Sequence, residues 1–177
     1  ALPTHNEVAR IKVFTSLAEL EIIELVSKNE FNAAEAMIAK TAPKVIASRG
    51  LITTSRYYST LYLYAYCSFC VQKYSAALRW INSILNDDSK GPREDIQGKI
   101  RILNLIVHYE LGNMDLVESA VLSTYRWLYK RNRLFGFEHA ILKFIRTELP
   151  DRHSSNAKII LSFKSPRKEL LRLLKDP

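Results

Sequence analysis

Apolar residues recur every three to four positions along most of the chain, the period of a helix with one buried face. Over residues 7–28 the series is Val8, Ile11, Phe14, Leu17, Ala18 and Leu25. Asn29-Glu30 interrupts it, and Phe31, Ala34, Met37 and Ile38 resume it in a second helix. Pro43 lacks an N–H and crowds the turn before it, so it is expected to end or kink that helix. Arg49-Gly50 reads as the stop, with Gly50 suited to a left-handed cap. A long helix is predicted over 54–71 and its partner over 74–85. The polar stretch 86–92 is the clearest loop. Its Pro92 fits a first helical position, and Glu94 and Asp95 favour the positive end of the helix that follows. That helix runs to Leu111, Gly112-Asn113 turns the chain into 114–130, and 135–149 forms another helix closed by Pro150. No segment alternates polar and apolar residues long enough to argue a strand, so the chain reads as all-α.

The helix pairs repeat. Glu30-Phe31, Lys73-Tyr74 and Asn113-Met114 occupy the same place after each break, 43 and then 40 residues apart. Three residues further on stand Ala34, Ala77 and Val117, and four beyond those Ile38, Ile81 and Val121. A period of this size built from paired helices is the mark of an α-solenoid.

Tyr74-x-x-Ala77-x-x-x-Ile81 and the turn Leu111-Gly112-Asn113-Met114-Asp115 resemble the tetratricopeptide repeat. The chain departs from that pattern in its longer period, and in having Ala65 at the small first-helix position of one unit but Ile22 and Leu105 in the others. Arg93-Glu94-Asp95, Asn104-Leu105-Ile106, His108 through Gly112 and Tyr125-Arg126 further resemble the C-terminal part of a bacterial family of uncharacterised tetratricopeptide-repeat proteins. The resemblance implies a right-handed α-solenoid of about three to four antiparallel hairpins. These would span about 7–49, 54–87 and 92–132, with a helix at 135–149, all in a repeat domain over 1–150. Residues 151–177 would form a linker and a basic capping helix. It also implies a cytoplasmic location and more repeats before Ala1, and it implies no known reaction.

Composition narrows the function. Five Gly and six Pro are too few for an all-β fold or a Gly-rich nucleotide loop, and two Cys exclude a disulfide framework and fit a reducing compartment. No apolar run approaches the roughly 18 residues of a membrane span, so no membrane partner is expected. The formal charge is +8, and it is local. Residues 1–59 carry 7 basic and 6 acidic side chains, residues 60–118 carry 6 and 7, and residues 119–177 carry 13 and 5. That asymmetry nominates Arg126, Lys130, Arg131 and Arg133 as an anion-binding set; the alternative is a solvated helical face.

Candidate chemistry is sparse. Cys67-Ser68-Phe69-Cys70 is a CxxC, but it falls deep inside a helix rather than at the helix start that would lower a thiol pKa, and no second ligand pair accompanies it. His5, His108, His139 and His153 are scattered, and His108 sits where a first helix packs on a second. Two SxxK matches, Ser155-x-x-Lys158 and Ser165-x-x-Lys168, are short enough to arise by chance. No Walker loop, GxSxG or GxGxxG is present. No catalytic residue, metal or cofactor is therefore assigned, and the chain is expected not to be an enzyme.

Six of the nine tyrosines lie between Tyr57 and Tyr74. Tyr57, Leu61 and Tyr64 form a core stripe. By the resemblance, first helices line a concave groove, which places Tyr62, Tyr66 and Phe69 on the groove side of one unit and Lys99, Ile102, Ile106 and Tyr109 on that of the next. The expected function is protein–protein interaction or scaffolding, with a peptide or partner helix in that groove; packing between repeats is the competing use of the same tyrosines. The second expectation is nucleic-acid binding through the basic last third. Against it, the tyrosine cluster lies in the neutral middle, whereas single-strand binders combine aromatics with charge. In the tail, Leu170, Leu171 and Leu174 edge a basic helix opened by Ser165-Pro166, expected to cap the solenoid by covering its last apolar face, the alternative being a helix that lies on a membrane or on nucleic acid.

Overall fold

The computed structural model describes residues 4–87, 93–147, 158, 161–162 and 164–175. Among them are eight helices: α1 (His5–Ser27), α2 (Phe31–Ala47), α3 (Thr54–Cys70), α4 (Tyr74–Leu85), α5 (Glu94–Glu110), α6 (Met114–Lys130), α7 (Gly136–Thr147) and α8 (Lys164–Leu173). No strand occurs among the described residues. The expected roles of Pro92 and Pro150 fall outside them.

Local chemistry sets the ends. Thr4 and Thr53 cap α1 and α3, each hydroxyl accepting from a backbone N–H three residues on, at 3.3 Å. The turns after α1, α3 and α5 are one structure three times. Asn29, Gln72 and Gly112 take left-handed φ values of 60°, 60° and 76°. Each donates its N–H to the carbonyl three back, and the next residue donates to the carbonyl five back: Glu30 to Leu25 at 2.9 Å, Lys73 to Ser68 at 2.8 Å and Asn113 to His108 at 2.9 Å. This double bond pattern satisfies the carbonyls a helix end leaves open. The entry residues Glu30, Lys73 and Asn113 then share φ/ψ of −86°/55°, −84°/63° and −82°/62°. The same pattern closes α6 at Asn132, whose φ is 53°.

Two sequence expectations change here. Pro43 does not end α2, since the helix runs on for four residues to Ala47. Pro43 faces solvent while Ala42 and Val45 beside it are buried. Gly50 is not the left-handed cap, because its φ lies outside that region. Instead Ser48 closes the helix, its hydroxyl donating to the Lys44 carbonyl at 2.7 Å.

The chain forms two compact units, residues 1–100 and 101–177, the division falling inside α5. In the first, α1 packs on α2, α2 on α3 and α3 on α4. Its core holds Ile22, Ala34, Ile38, Tyr58, Leu61, Tyr64, Ala65, Ala77 and Ile81, with Tyr57 beside them. Glu35 of α2 accepts from the Ser68 hydroxyl of α3 at 3.0 Å and pairs with Lys73 at 3.4 Å. Arg49 pairs with Asp87 and lies 4.4 Å from the centre of the Tyr57 ring. In the second unit α6 packs on α7 and α7 on α8. Leu105, Val117, Val121, Leu128 and Leu142 make its core, with Tyr109 and Trp127 at the edge. The repeat positions Ala34, Ala77 and Val117, and Ile38, Ile81 and Val121, are buried, as is the first-helix series Ile22, Ala65 and Leu105 at 0% exposure, while Phe31, Tyr74 and Met114 at the start of each second helix are half-buried.

Candidate functional site

The tyrosines of α3 spend much of their surface inside the first unit. Tyr66 meets Phe31 of α2 edge-on at 6.1 Å and Phe69 meets Tyr74 of α4 at 6.0 Å. Tyr62 is half-buried, and burial raises its phenol pKa. Tyr66 keeps 36% of its surface exposed, and Lys99 is exposed on α5. Ile106 and Tyr109 belong to the second unit, and Ile102 is buried. Of the seven nominated groove residues, Tyr62, Tyr66, Phe69 and Lys99 belong to the first unit and Ile102, Ile106 and Tyr109 to the second.

The two cysteines are buried or half-buried thiols. Burial pushes the Cys67 thiol up to about 12, with Cys70 and Glu35 adding to the effect, which is the reverse of what a reactive thiolate needs. His108 is half-buried, its Nδ1 3.2 Å from the Asn113 side-chain amide, and burial lowers its pKa. Among the described residues no group of three His, Cys, Asp or Glu is placed to hold a metal, and no helix is long and apolar enough to cross a membrane.

Three surfaces stand out instead. The first is on α1, which is apolar on two faces. One face carries Ala18 and Ile22 into the core. The other exposes Val13 at 58%, Leu17 at 54%, Leu20 at 62% and Ile23 at 48%. Leu17, placed in the core series by periodicity, belongs to this outer row.

The second surface is an apolar cavity of about 510 Å³ in the second unit. Ile106 and Tyr109 of α5, Ile141, Phe144 and Ile145 of α7, and Pro166, Leu170, Leu171 and Leu174 from α8 onward line it, with Glu110 and Arg167 the charged members. The C-terminal helix is held on α7 by a Lys143–Glu169 pair at 3.9 Å and by Leu173 against Gly136. It leaves Leu171 at 44% and Leu174 at 79% exposed.

The third surface joins α6 and α7. Tyr125 and Tyr129, one helical turn apart on α6, are 40% and 66% exposed, their rings 6.2 Å apart and within 8° of parallel. Arg126 and Lys130 run beside them, exposed. Across a groove of about 260 Å³ stand His139, Lys143 and Arg146 of α7, facing Leu122 and Tyr125. Aromatics and charge thus do combine at the basic end, which the count of tyrosines along the sequence had hidden. The nominated set of four cations separates: Arg131 lies 4.4 Å from the Trp127 ring and Arg133 is half-buried, while Arg126 and Lys130 stay on the open face. Arg101 approaches the same indole at 4.8 Å, with its Nε buried and without a hydrogen-bond partner among the described residues. Burial, and then the nearby Arg131 charge, lower the pKa of Arg101. The signals that could have found this surface are the i, i+4 pairs Tyr125/Tyr129 and Arg126/Lys130, and the outer row of α1 was legible as a second apolar stripe.

No family model, no curated protein and no solved structure matches the chain.

Proposed function

We propose that the chain is a non-enzymatic helical-repeat module, a solenoid of the tetratricopeptide-like kind, that holds a helix of a protein partner. The repeat reading is supported by three turns of one backbone geometry at spacings of 43 and 40 residues, each followed by buried small and bulky residues at the same offsets. The observation that carries the binding reading is the outer row of α1. Val13, Leu17, Leu20 and Ile23 recur along one face, the spacing by which one helix seats its ridges in the grooves of another. Fully burying such a side chain contributes about 1.5–3 kcal/mol. With about half of each still in water, docking a helix here recovers roughly 3–6 kcal/mol in total before the costs of association. A helix apolar on two faces is otherwise found buried on both.

Leu17→Glu with Leu20→Glu tests this. Both residues are exposed, so the variant should keep its helicity and melt close to the wild type. Affinity capture from the native cell, quantified by mass spectrometry, should retain proteins with the wild type that the variant loses. An identical set retained by both overturns the reading.

A further inference from the structure

We propose that the α6–α7 face of the second unit is a binding site for single-stranded nucleic acid, with Tyr125 and Tyr129 stacking bases and Arg126, Lys130 and Arg146 contacting phosphates. Unliganded, this face is costly to the protein. Tyr129 exposes 66% of its surface although α6 has a buried side available for aromatics, where Trp127 sits. Arg126 and Lys130, four residues apart on one helix face, repel each other. Neither they nor Arg146 has an ion-pair partner among the described residues. A helix that places two exposed aromatics in one row and two unpaired cations in the next is arranged for a ligand with flat apolar faces and regularly spaced negative charge.

Single-stranded nucleic acid has both. Successive bases stack roughly parallel, and the two tyrosine rings are within 8° of parallel at 6.2 Å. Its phosphates run along one side of the bases, as the Arg126/Lys130 row runs along one side of the tyrosines. The basic surface continues beyond the groove, because Lys143 also borders the open face of α8 that carries Lys164, Lys168 and Arg172. That face includes one acid, Glu169. Arg101 and Arg131 around Trp127 add positive potential from within the same unit. A duplex would meet the charge but hide its base faces, and an acidic peptide would meet the charge but leave the tyrosines unused. Base–aromatic stacking with a basic track is the recurring design of sequence-tolerant single-strand sites.

The test is fluorescence anisotropy with a labelled oligothymidylate of about 15 nucleotides, a length within the roughly 4–16-nucleotide range of such sites. Affinity should fall linearly with salt on logarithmic axes. With these three phosphate contacts at roughly 0.7 each, it should drop about 20-fold from about 50 to 200 mM. Tyr125→Ala with Tyr129→Ala should weaken binding by about 10-fold or more with the salt slope unchanged, and Tyr125→Phe with Tyr129→Phe should restore it. Arg126→Gln with Arg146→Gln should instead lower the slope, by roughly 0.7 for each contact removed. Circular dichroism of each variant separates loss of binding from loss of fold. Three results overturn the proposal: no binding at micromolar protein in low salt, duplex DNA bound as tightly as the single strand, or competition by polyglutamate together with indifference to both tyrosine variants. None of these outcomes bears on the α1 face, so this site and the proposed partner helix stand or fall separately.

Discussion

The contact between α2 and α3 includes one buried pair of hydroxyls, whose bond directions can be assigned by elimination. The Tyr64 side chain is fully buried, with its hydroxyl 3.1 Å from Thr41 Oγ1, which lies 2.9 Å from the Met37 carbonyl. A carbonyl only accepts and threonine has one O–H, so Thr41 donates to Met37 and Tyr64 donates to Thr41. The two partners should then differ in cost when removed. Tyr64→Phe deletes a donor whose acceptor is already engaged elsewhere, a loss of about 1 kcal/mol. Thr41→Val strands a phenol O–H in the core, which costs about 1–3 kcal/mol. The double variant leaves nothing stranded and should be more stable than Thr41→Val alone, with a coupling of roughly 1 kcal/mol. Urea unfolding followed by far-UV circular dichroism on the four proteins measures this, and each kcal/mol moves Tm by about 2–4 °C for a chain of this size. Additive losses, or Tyr64→Phe costing more than Thr41→Val, would refute the assignment.

Two further outcomes follow from the turns and the thiols. Gly112→Ala should lose about 1–2 kcal/mol because its φ of 76° is left-handed, while Gln72→Gly at the equivalent turn should gain roughly 0.5 kcal/mol after the entropy of the unfolded glycine is counted. Denaturation midpoints check both, and changes of the same sign would break the equivalence of the turns. Cys67, its thiol pushed up to about 12, should resist a thiol reagent at about pH 8 that labels it fully in denaturant. Because its folded pKa is raised, the stability it contributes is complete below the unfolded value of about 8.5 and is lost as pH climbs from there towards about 12. Cys67→Ala should flatten that alkaline decline, and labelling of native Cys67 at the rate of a free thiol would contradict the burial.

Helical periodicity located the elements closely because a one-sided core writes itself into the sequence every three to four residues. The buried series Ile22, Ala65, Leu105 and Ala34, Ala77, Val117 were legible for the same reason. Punctuation was less so. Asn29 and Asn132 take left-handed conformations that Asn tolerates well, Gln72 takes one that its type does not favour, and Gly50 takes none, because the left-handed cap falls where the bond pattern at a helix end requires it. Pro43 does not stop α2, which continues to Ala47.

The sequence by itself determined that this protein is all-helical, which residues repeat, and that its positive charge belongs to the last third. All of these follow from spacing along one dimension. Only the tertiary structure decided which apolar residues remain in water. Leu17 and Leu25 belong to one periodic series in sequence, yet Leu17 is 54% exposed and Leu25 half-buried, because α2 covers one side of α1 and among the described residues nothing covers the row from Val13 to Ile23. It also decided that Tyr125 and Tyr129 stand exposed, beside Arg126 and Lys130, while Tyr58 and Tyr64 are sealed in a core. The physical reason is the same in each case. Periodicity fixes which side chains share a helix face, but burial depends on what the rest of the chain brings against that face.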